Sequence, residues 1–145
     1  MRAFGRRLEL GIELTAREPL RGGDAVAGTV HVAAGGDVRA LSVRLAYVER
    51  SPDYVATAFV AEERVLASGA VADGAALPFS LRLPADALPS MAAAPHATVR
   101  WELRAWADVL GPDPDDVRAL DVVAGADGGA PPGRFDRAPE APGGP

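Results

Sequence analysis

The stretch ATVRWELRAWADV, residues 97–109, alternates between apolar and charged side chains over most of its length. Val99, Trp101 and Leu103 fall on one face, and charged side chains occupy the positions between them. Successive side chains of a β-strand point to opposite faces of its sheet, so a period of two predicts a strand with one buried face. Trp101 is the largest apolar side chain of this set and is predicted to lie in the core.

A second alternating run, PFSLRLPADALPSM (78–91), ends in two prolines. Phe79 and Leu81 lie on its apolar face and are predicted to be core residues. Pro84 and Pro89 cannot donate a backbone hydrogen bond to a neighbouring strand. The strand is therefore predicted to end there and to be followed by a rigid loop.

Similar runs recur at short intervals and are separated by clusters of Gly, Pro and Asp. Strands are predicted over 8–14, 26–32, 41–47 and 117–123, a strand pair or one long bent strand over 54–69, and loops over 17–24, 33–37, 89–96 and 111–116. Short strands with turn signals at this spacing are typical of antiparallel sandwiches. The sequence therefore predicts an all-β, two-sheet antiparallel β-sandwich of immunoglobulin-like architecture.

The length and composition indicate one domain followed by a tail. The 145 residues suit a single domain, which we assign to residues 1–124. Residues 125–145 contain 11 Gly or Pro, and Phe135 is their one large apolar side chain. Such a segment cannot bury enough surface to offset its ordering entropy, so the tail is predicted to be disordered.

Charge and cysteine content exclude several classes of function. The net charge is −5, and all 15 basic residues are arginines spread along the chain, which argues against nucleic acid as the main partner. The chain has no cysteine, so a disulfide framework and a Cys-based metal site are excluded. The N-terminus lacks the apolar segment of a signal peptide, and no apolar run approaches the ~20 residues of a spanning helix. We therefore expect a cytoplasmic protein without a membrane span.

Three motifs, in this order, resemble the N-terminal domain of the arrestin-like family, which includes bacterial sporulation-control relatives. They are the D-x-V-x-G-x-V pattern of residues 24–30, the PFSLRLP…LPS segment (78–90) and the strand ATVRWELRAWADV (97–109). The resemblance implies a β-sandwich without catalytic apparatus, used as a scaffold that binds peptides, receptors or other proteins. Family members usually carry two such domains, and the resemblance here covers one. The buried charged cluster that locks receptor-binding arrestins has no counterpart that can be aligned, so no switch is carried over.

Glycine at position 28 is expected to have a packing role. Gly28 occupies an inward position of the strand predicted over 26–32. A missing side chain at such a position lets another part of the backbone or an opposing layer approach closely. We expect the opposing layer to do so here.

Four residues are candidates for binding a protein partner. Trp106 is an odd number of residues from Trp101, so it is predicted on the polar outer face beside Arg104, where an exposed Trp is typical of a binding hot spot. The alternative is that a bulge shifts the register or that a loop or the tail covers Trp106. Arg6 and Arg7 resemble the adjacent basic residues that read phosphates in receptor-binding arrestins, and they otherwise supply solubilising charge at a strand entrance.

No residue pattern indicates an enzyme, a cofactor or a metal site. His31 and His96 lack metal-ligand spacing, and no nucleophile–base motif occurs. Asp113, Asp115 and Asp116 could offer oxygen ligands to calcium, but without a complete calcium-binding loop they are predicted to form a solvated turn. The leading hypothesis is a non-catalytic interaction module with a protein partner. The alternative is a ligand-binding sandwich, for calcium or carbohydrate, and an enzyme on a misjudged fold is a third class.

Overall fold

Every regular element that the computed structural model describes is a β-strand. It describes residues 7–94 and 96–125, so most of the tail lies outside the described residues. The eight strands are β1 (Glu9–Leu14), β2 (Ala25–Ala34), β3 (Gly36–Arg50), β4 (Val55–Val71), β5 (Ala76–Arg82), β6 (Met91–Ala94), β7 (Ala97–Asp108) and β8 (Asp115–Ala119).

The strands form two antiparallel sheets. One has three strands in the order β1-β2-β5, and the other has five, with β4-β3-β7-β6 in order and β8 also paired to β7. β6 pairs with the first residues of β7 and β8 with its later residues, so both lie on the same side of that strand. The all-β, two-sheet antiparallel prediction is confirmed.

The alternation of apolar residues in both sheets builds a single core. Trp101 is 2% exposed, and its indole ring lies 5.0 Å from the ring of Tyr47, centroid to centroid. The core combines inward residues of the three-stranded sheet (Val26, Val30, Val32, Phe79, Leu81) with those of the five-stranded sheet (Leu41, Val43, Leu45, Tyr47, Trp101, Leu103). The two sheets therefore pack face to face, as in a β-sandwich.

Gly28 is in close contact with neighbouring strands of its own sheet. A Cβ atom at this position would lie 2.5 Å from the backbone oxygen of Glu13 and 2.8 Å from the ring of Phe79. Phe79 is the residue paired with Gly28 across β2 and β5. The groups that approach Gly28 are thus the backbone of β1 and an aromatic ring of β5, both in its own sheet, and not the opposing layer that we expected.

The loop between β5 and β6 contains Pro84 and Pro89, and two aromatic side chains of the core bind its backbone. The Trp101 indole Nε1 donates to the carbonyl oxygen of Leu88 at 2.7 Å. The Tyr47 hydroxyl donates to the carbonyl oxygen of Pro89 at 2.8 Å. Buried Trp and Tyr need a partner for their polar ends, so the loop gains a fixed position and the two side chains are satisfied.

The segment over 54–69 is one long strand, β4, and not a strand pair. The pairing of β4 with β3 shifts register at four places, and at three of them β4 carries an extra residue, namely Ala58, Ala61 and Leu66. Each extra residue bends the strand and reverses the parity of the residues after it. This explains why the alternation in this segment is not clean.

Three further boundaries differ from the sequence predictions. The loop predicted over 33–37 is reduced to Gly35, because β2 runs to Ala34 and β3 begins at Gly36. Residues 91–94, predicted as part of a loop, form β6 against β7. The sequence does not indicate this strand, because an alanine-rich stretch has no apolar–polar alternation. The last strand is Asp115–Ala119 and begins inside the predicted turn over 111–116. Val122, predicted within that strand, instead forms a single parallel bridge with Leu20.

Candidate interaction surfaces

The outer face of the five-stranded sheet concentrates charge. Antiparallel pairing of β3 with β7 sets Arg44 opposite Arg104 and Ala46 opposite Glu102. Both arginines, with Arg50 and Arg100, therefore lie on the face away from the core. Four cations are grouped on this face of a chain whose net charge is −5.

Glu102 is the buried anion at the centre of that face. Its side chain is 4% exposed, and it accepts hydrogen bonds from Arg50 Nε and Nη2 at 2.5 and 2.9 Å and from Arg100 Nε at 2.8 Å. Burial by itself would raise the pKa of the Glu102 carboxyl, but the bonds from the two guanidinium groups outweigh it and hold that pKa below its usual value. The same pairing raises the pKa of Arg50. The three side chains form a charged triad at neutral pH.

Trp106 lies on the predicted face but is more covered than an exposed hot spot would be. The guanidinium carbons of Arg104 and Arg44 lie 5.0 and 5.5 Å from the Trp106 ring centroid. The ring is only partly exposed as a result. Arg104 also donates from Nε to an Asp115 carboxylate oxygen at 3.0 Å. Trp106 and Arg104 thus belong to one cluster of stacked side chains. Arg44, which was not among the predicted contacts, is its third member.

A groove of about 200 Å³ runs over this face. Its charged lining consists of Arg44, Arg50 and Arg104 with Glu102 and Asp115. Its remaining lining is mostly apolar: Ala46, Val48, Val55, Thr57 and Val117. We call it the outer groove. Its signal in the sequence is the repetition of arginine on one parity of β3 and β7, around a single glutamate.

A second surface is the side of β4 that faces away from β3, which we call the β4 edge. Within 7–94 and 96–125, β4 pairs with β3 alone, so the backbone groups on the β4 edge have no strand partner. Val71 is the one buried residue of this 17-residue strand. Its exposed apolar side chains are Val55, Phe59, Val60 and Val65, between 41% and 61% exposed.

An apolar pocket of about 230 Å³ adjoins the β4 edge. Phe59 forms one wall, and its ring meets the edge of Trp101 at a centroid distance of 6.3 Å. Leu88, 59% exposed, forms part of the opposite wall. Tyr47, Pro84, Asp86 and Ala87 complete the lining. Aromatic side chains of the core thus reach the surface here, between β4 and the loop after β5.

Arg7, His31 and His96 lie apart from the two surfaces. Arg7 is exposed and lines a different depression with Gly36 and Leu110, whereas Arg6 lies outside the described residues. His31 and His96 are exposed, and His31 Nε2 lies 2.6 Å from a Glu13 carboxylate oxygen.

The three aspartates near β8 contact three separate groups. Asp113 accepts from the backbone nitrogen of Val109 at 3.2 Å, and Asp116 accepts from that of Ile12 at 2.9 Å. Asp115 pairs with Arg104. The Asp116 bond joins β8 of one sheet to β1 of the other, so the predicted solvated turn has a structural role. No cluster of three potential metal ligands occurs among the residues that the structure describes.

Comparisons with known proteins leave the family open. No protein-family model matches the chain, and a search of curated proteins found no match. In the described part of the chain, no helix is long and apolar enough to cross a membrane.

Proposed function

We propose that the chain is a non-catalytic, cytoplasmic protein-interaction module of the arrestin-like type, and that it binds an extended segment of a partner protein along the β4 edge. One observation carries this proposal. β4 is a 17-residue strand at the margin of a sheet, with four exposed large apolar side chains and a single buried residue. Long edge strands of this kind readily pair with another chain, and proteins that do not use them blunt them with charge, proline or bulges. β4 has three bulges, and its charged residues are confined to positions 62–64, so its first half stays apolar.

The geometry of the β4 edge suits strand addition. An added strand gains affinity from backbone hydrogen bonds and specificity from pockets that accept alternate side chains. The apolar pocket beside Phe59 would accept an apolar side chain of the partner, because its walls are aromatic and aliphatic. One hydrogen bond already joins β4 to the other sheet: Arg64 Nη1 donates to the carbonyl oxygen of Ser80 in β5 at 3.0 Å. This contact ties the centre of β4 and leaves the half that contains Phe59 as the binding segment.

The arrestin-like type is proposed from the three sequence motifs. The first motif lies in β2 and the second in β5, two strands that are hydrogen-bonded neighbours, and the third forms β7. The non-catalytic role rests on the sequence, which contains no nucleophile–base motif. The calcium alternative would need Asp113, Asp115 and Asp116 to converge, and their separate partners do not favour it. Trp106, Arg104, Arg6 and Arg7 stay proposed contacts outside the β4 edge.

The proposal is tested by capture of partner proteins from an extract of the native host. The wild-type chain, Phe59→Ser and Leu110→Ser are immobilised at equal density. Leu110 is 96% exposed in a turn, so Leu110→Ser is a matched apolar-to-polar control outside β4. We expect Leu110→Ser to capture the same proteins as wild type. Phe59→Ser should lose them, with an affinity for the purified partner lowered about 30-fold, as for a hot-spot residue.

A second variant, Val65→Lys, changes the half of β4 that does not contain Phe59. Val65 is 61% exposed on the other half of β4, and Val65→Lys adds charge to the strand without touching the core. Urea melts of all variants show whether each is folded. Equal capture by wild type and a folded Phe59→Ser would refute the β4 edge as the binding surface. Loss of capture in Trp106→Ala, with Phe59→Ser unaffected, would place the interface on the outer face instead.

A further inference from the structure

The outer groove has more positive charge than its own carboxylates can neutralise. Arg44, Arg50 and Arg104 line it, and Arg100 shares Glu102 with Arg50. Against these four cations stand two carboxylates, those of Glu102 and Asp115. Glu63, exposed on β4 opposite Arg44, is a third carboxylate on this face. The group therefore has an excess of one positive charge within an acidic protein.

Arg44 is the cation that lacks an anion. Arg50, Arg100 and Arg104 each form an ion pair with a carboxylate, but across 7–94 and 96–125 Arg44 forms none. Its Nε is buried and has no hydrogen-bond acceptor. A buried donor without an acceptor is costly, so an unmet donor in a groove indicates a missing partner.

The neighbours of Arg44 hold it in place and add to its field. Its guanidinium lies over the Trp106 ring, and Arg104 is directly opposite on β7. Like charges directly opposite on a sheet repel, which an anion between them would relieve. Glu63 is the residue opposite Arg44 on β4, but it is exposed and makes no ion pair with Arg44.

We propose that the outer groove binds a small anion that presents oxyanion groups, with Arg44 as its main contact and Arg104 as the second. Guanidinium groups bind carboxylate and phosphate oxygens through paired hydrogen bonds, and the charge of Arg44 has no partner within the groove. The apolar walls formed by Ala46, Val48 and Val117 lower the local dielectric and strengthen the attraction. This site lies on the face of the sheet, whereas the proposed strand addition uses the backbone of β4; Val55 and Thr57 at the start of β4 border the groove.

The test uses two probes, succinate and inorganic phosphate, each titrated at constant ionic strength set with sodium chloride. Binding is followed by calorimetry and by the NMR signals of the two indole N–H groups. We expect the Trp106 signal to shift and the buried Trp101 signal to stay. We expect succinate to bind more tightly than phosphate because its carbon chain contacts the apolar walls.

Three variants assign the binding to Arg44. Arg44→Gln should weaken binding about tenfold or more, as expected for loss of a charged hydrogen-bond donor. Arg44→Lys keeps the charge but not the planar fork, so it should lie between Arg44→Gln and wild type. Arg39→Gln, on the same strand but exposed and paired with Asp108, makes the same change of charge and should bind as wild type does.

One result would support the site, and two would refute it. Binding of either probe with this dependence on Arg44 supports the site, and the stronger probe identifies the carboxylate or the phosphate as its ligand. Absence of binding by both probes refutes the site. Binding that falls equally in Arg39→Gln and Arg44→Gln also refutes it, because it would then reflect overall charge. An NMR spectrum of each variant shows that it is folded.

Discussion

The change Glu102→Gln removes a buried charge from the outer face while keeping the shape of the side chain. Glu102 accepts three hydrogen bonds, two from Arg50 and one from Arg100. The amide oxygen of glutamine can replace Oε2 and keep the two Nε bonds, but the NH₂ group then faces Arg50 Nη2 and that bond is lost.

The magnitude is set by the number of bonds and by the exposure of their donors. A hydrogen bond to a charged group contributes about 1.5–3 kcal/mol. Arg50 and Arg100 are 34% and 35% exposed, so water screens their charges and the lower end applies. Loss of one bond, together with the charge that strengthens the other two, then predicts that Glu102→Gln lowers the free energy of unfolding by about 2–3 kcal/mol at pH 7.

The same variant predicts a pH dependence with a definite sign. The pKa of Glu102 in the folded chain is lower than its ordinary value of 4.5. A carboxylate with a lowered folded-state pKa contributes stability that is present above the unfolded-state pKa and is lost as the pH falls through the folded-state pKa. Glutamine does not titrate, so the advantage of wild type over Glu102→Gln should be constant at neutral pH and shrink below pH 4.5.

Urea melts of wild type and Glu102→Gln across this pH range measure both effects. Arg100→Gln is the control, because it leaves the two bonds from Arg50 in place and should cost less than Glu102→Gln. A difference below about 0.5 kcal/mol at pH 7, which is the range of ordinary surface substitutions, would refute the reasoning. So would a difference that stays constant down to the pH at which Glu102 is protonated.

Three further predictions concern packing. Trp101→Ala should lower the free energy of unfolding by about 3–5 kcal/mol in urea melts, and a loss below about 1 kcal/mol would contradict the burial of its ring. Gly28→Ala should cost about 1–3 kcal/mol because its Cβ meets a backbone oxygen at 2.5 Å. Gly36→Ala, with no atom within 4 Å of the added Cβ, is the control and should stay within about 0.5 kcal/mol of wild type. Trp106→Ala should cost about 1–2 kcal/mol through its two guanidinium contacts, and a loss above about 4 kcal/mol would make Trp106 a core residue.

Alternation predicts strands well wherever a strand has one buried face. This holds for β5 and β7, in which Phe79 and Trp101 lie on the predicted inner face. It fails for β4 for two reasons: the extra residues reverse the parity, and few of its side chains are buried, so no apolar face is repeated along the strand. It also fails for β6, where Met91 leads a run of alanines.

The candidate surfaces could be predicted only in part. Parity places Trp106 on the outer face, but its cover by Arg44 depends on how β3 pairs with β7, which lies about 60 residues away. Glu102 has the parity of a solvent-facing residue, and its burial arises from Arg50, a partner 52 residues distant in sequence. The β4 edge is a consequence of strand order, which no local pattern encodes.

The most direct test of strand addition is hydrogen–deuterium exchange of the chain with and without its captured partner. Backbone amides on the β4 edge lack a strand partner in the described structure, so they should exchange rapidly in the free chain. If the partner adds a strand there, amides of β4 around Phe59 should become protected in the complex, while those of β8 remain unchanged. Protection confined to β7 and β8, with no change in β4, would contradict the account.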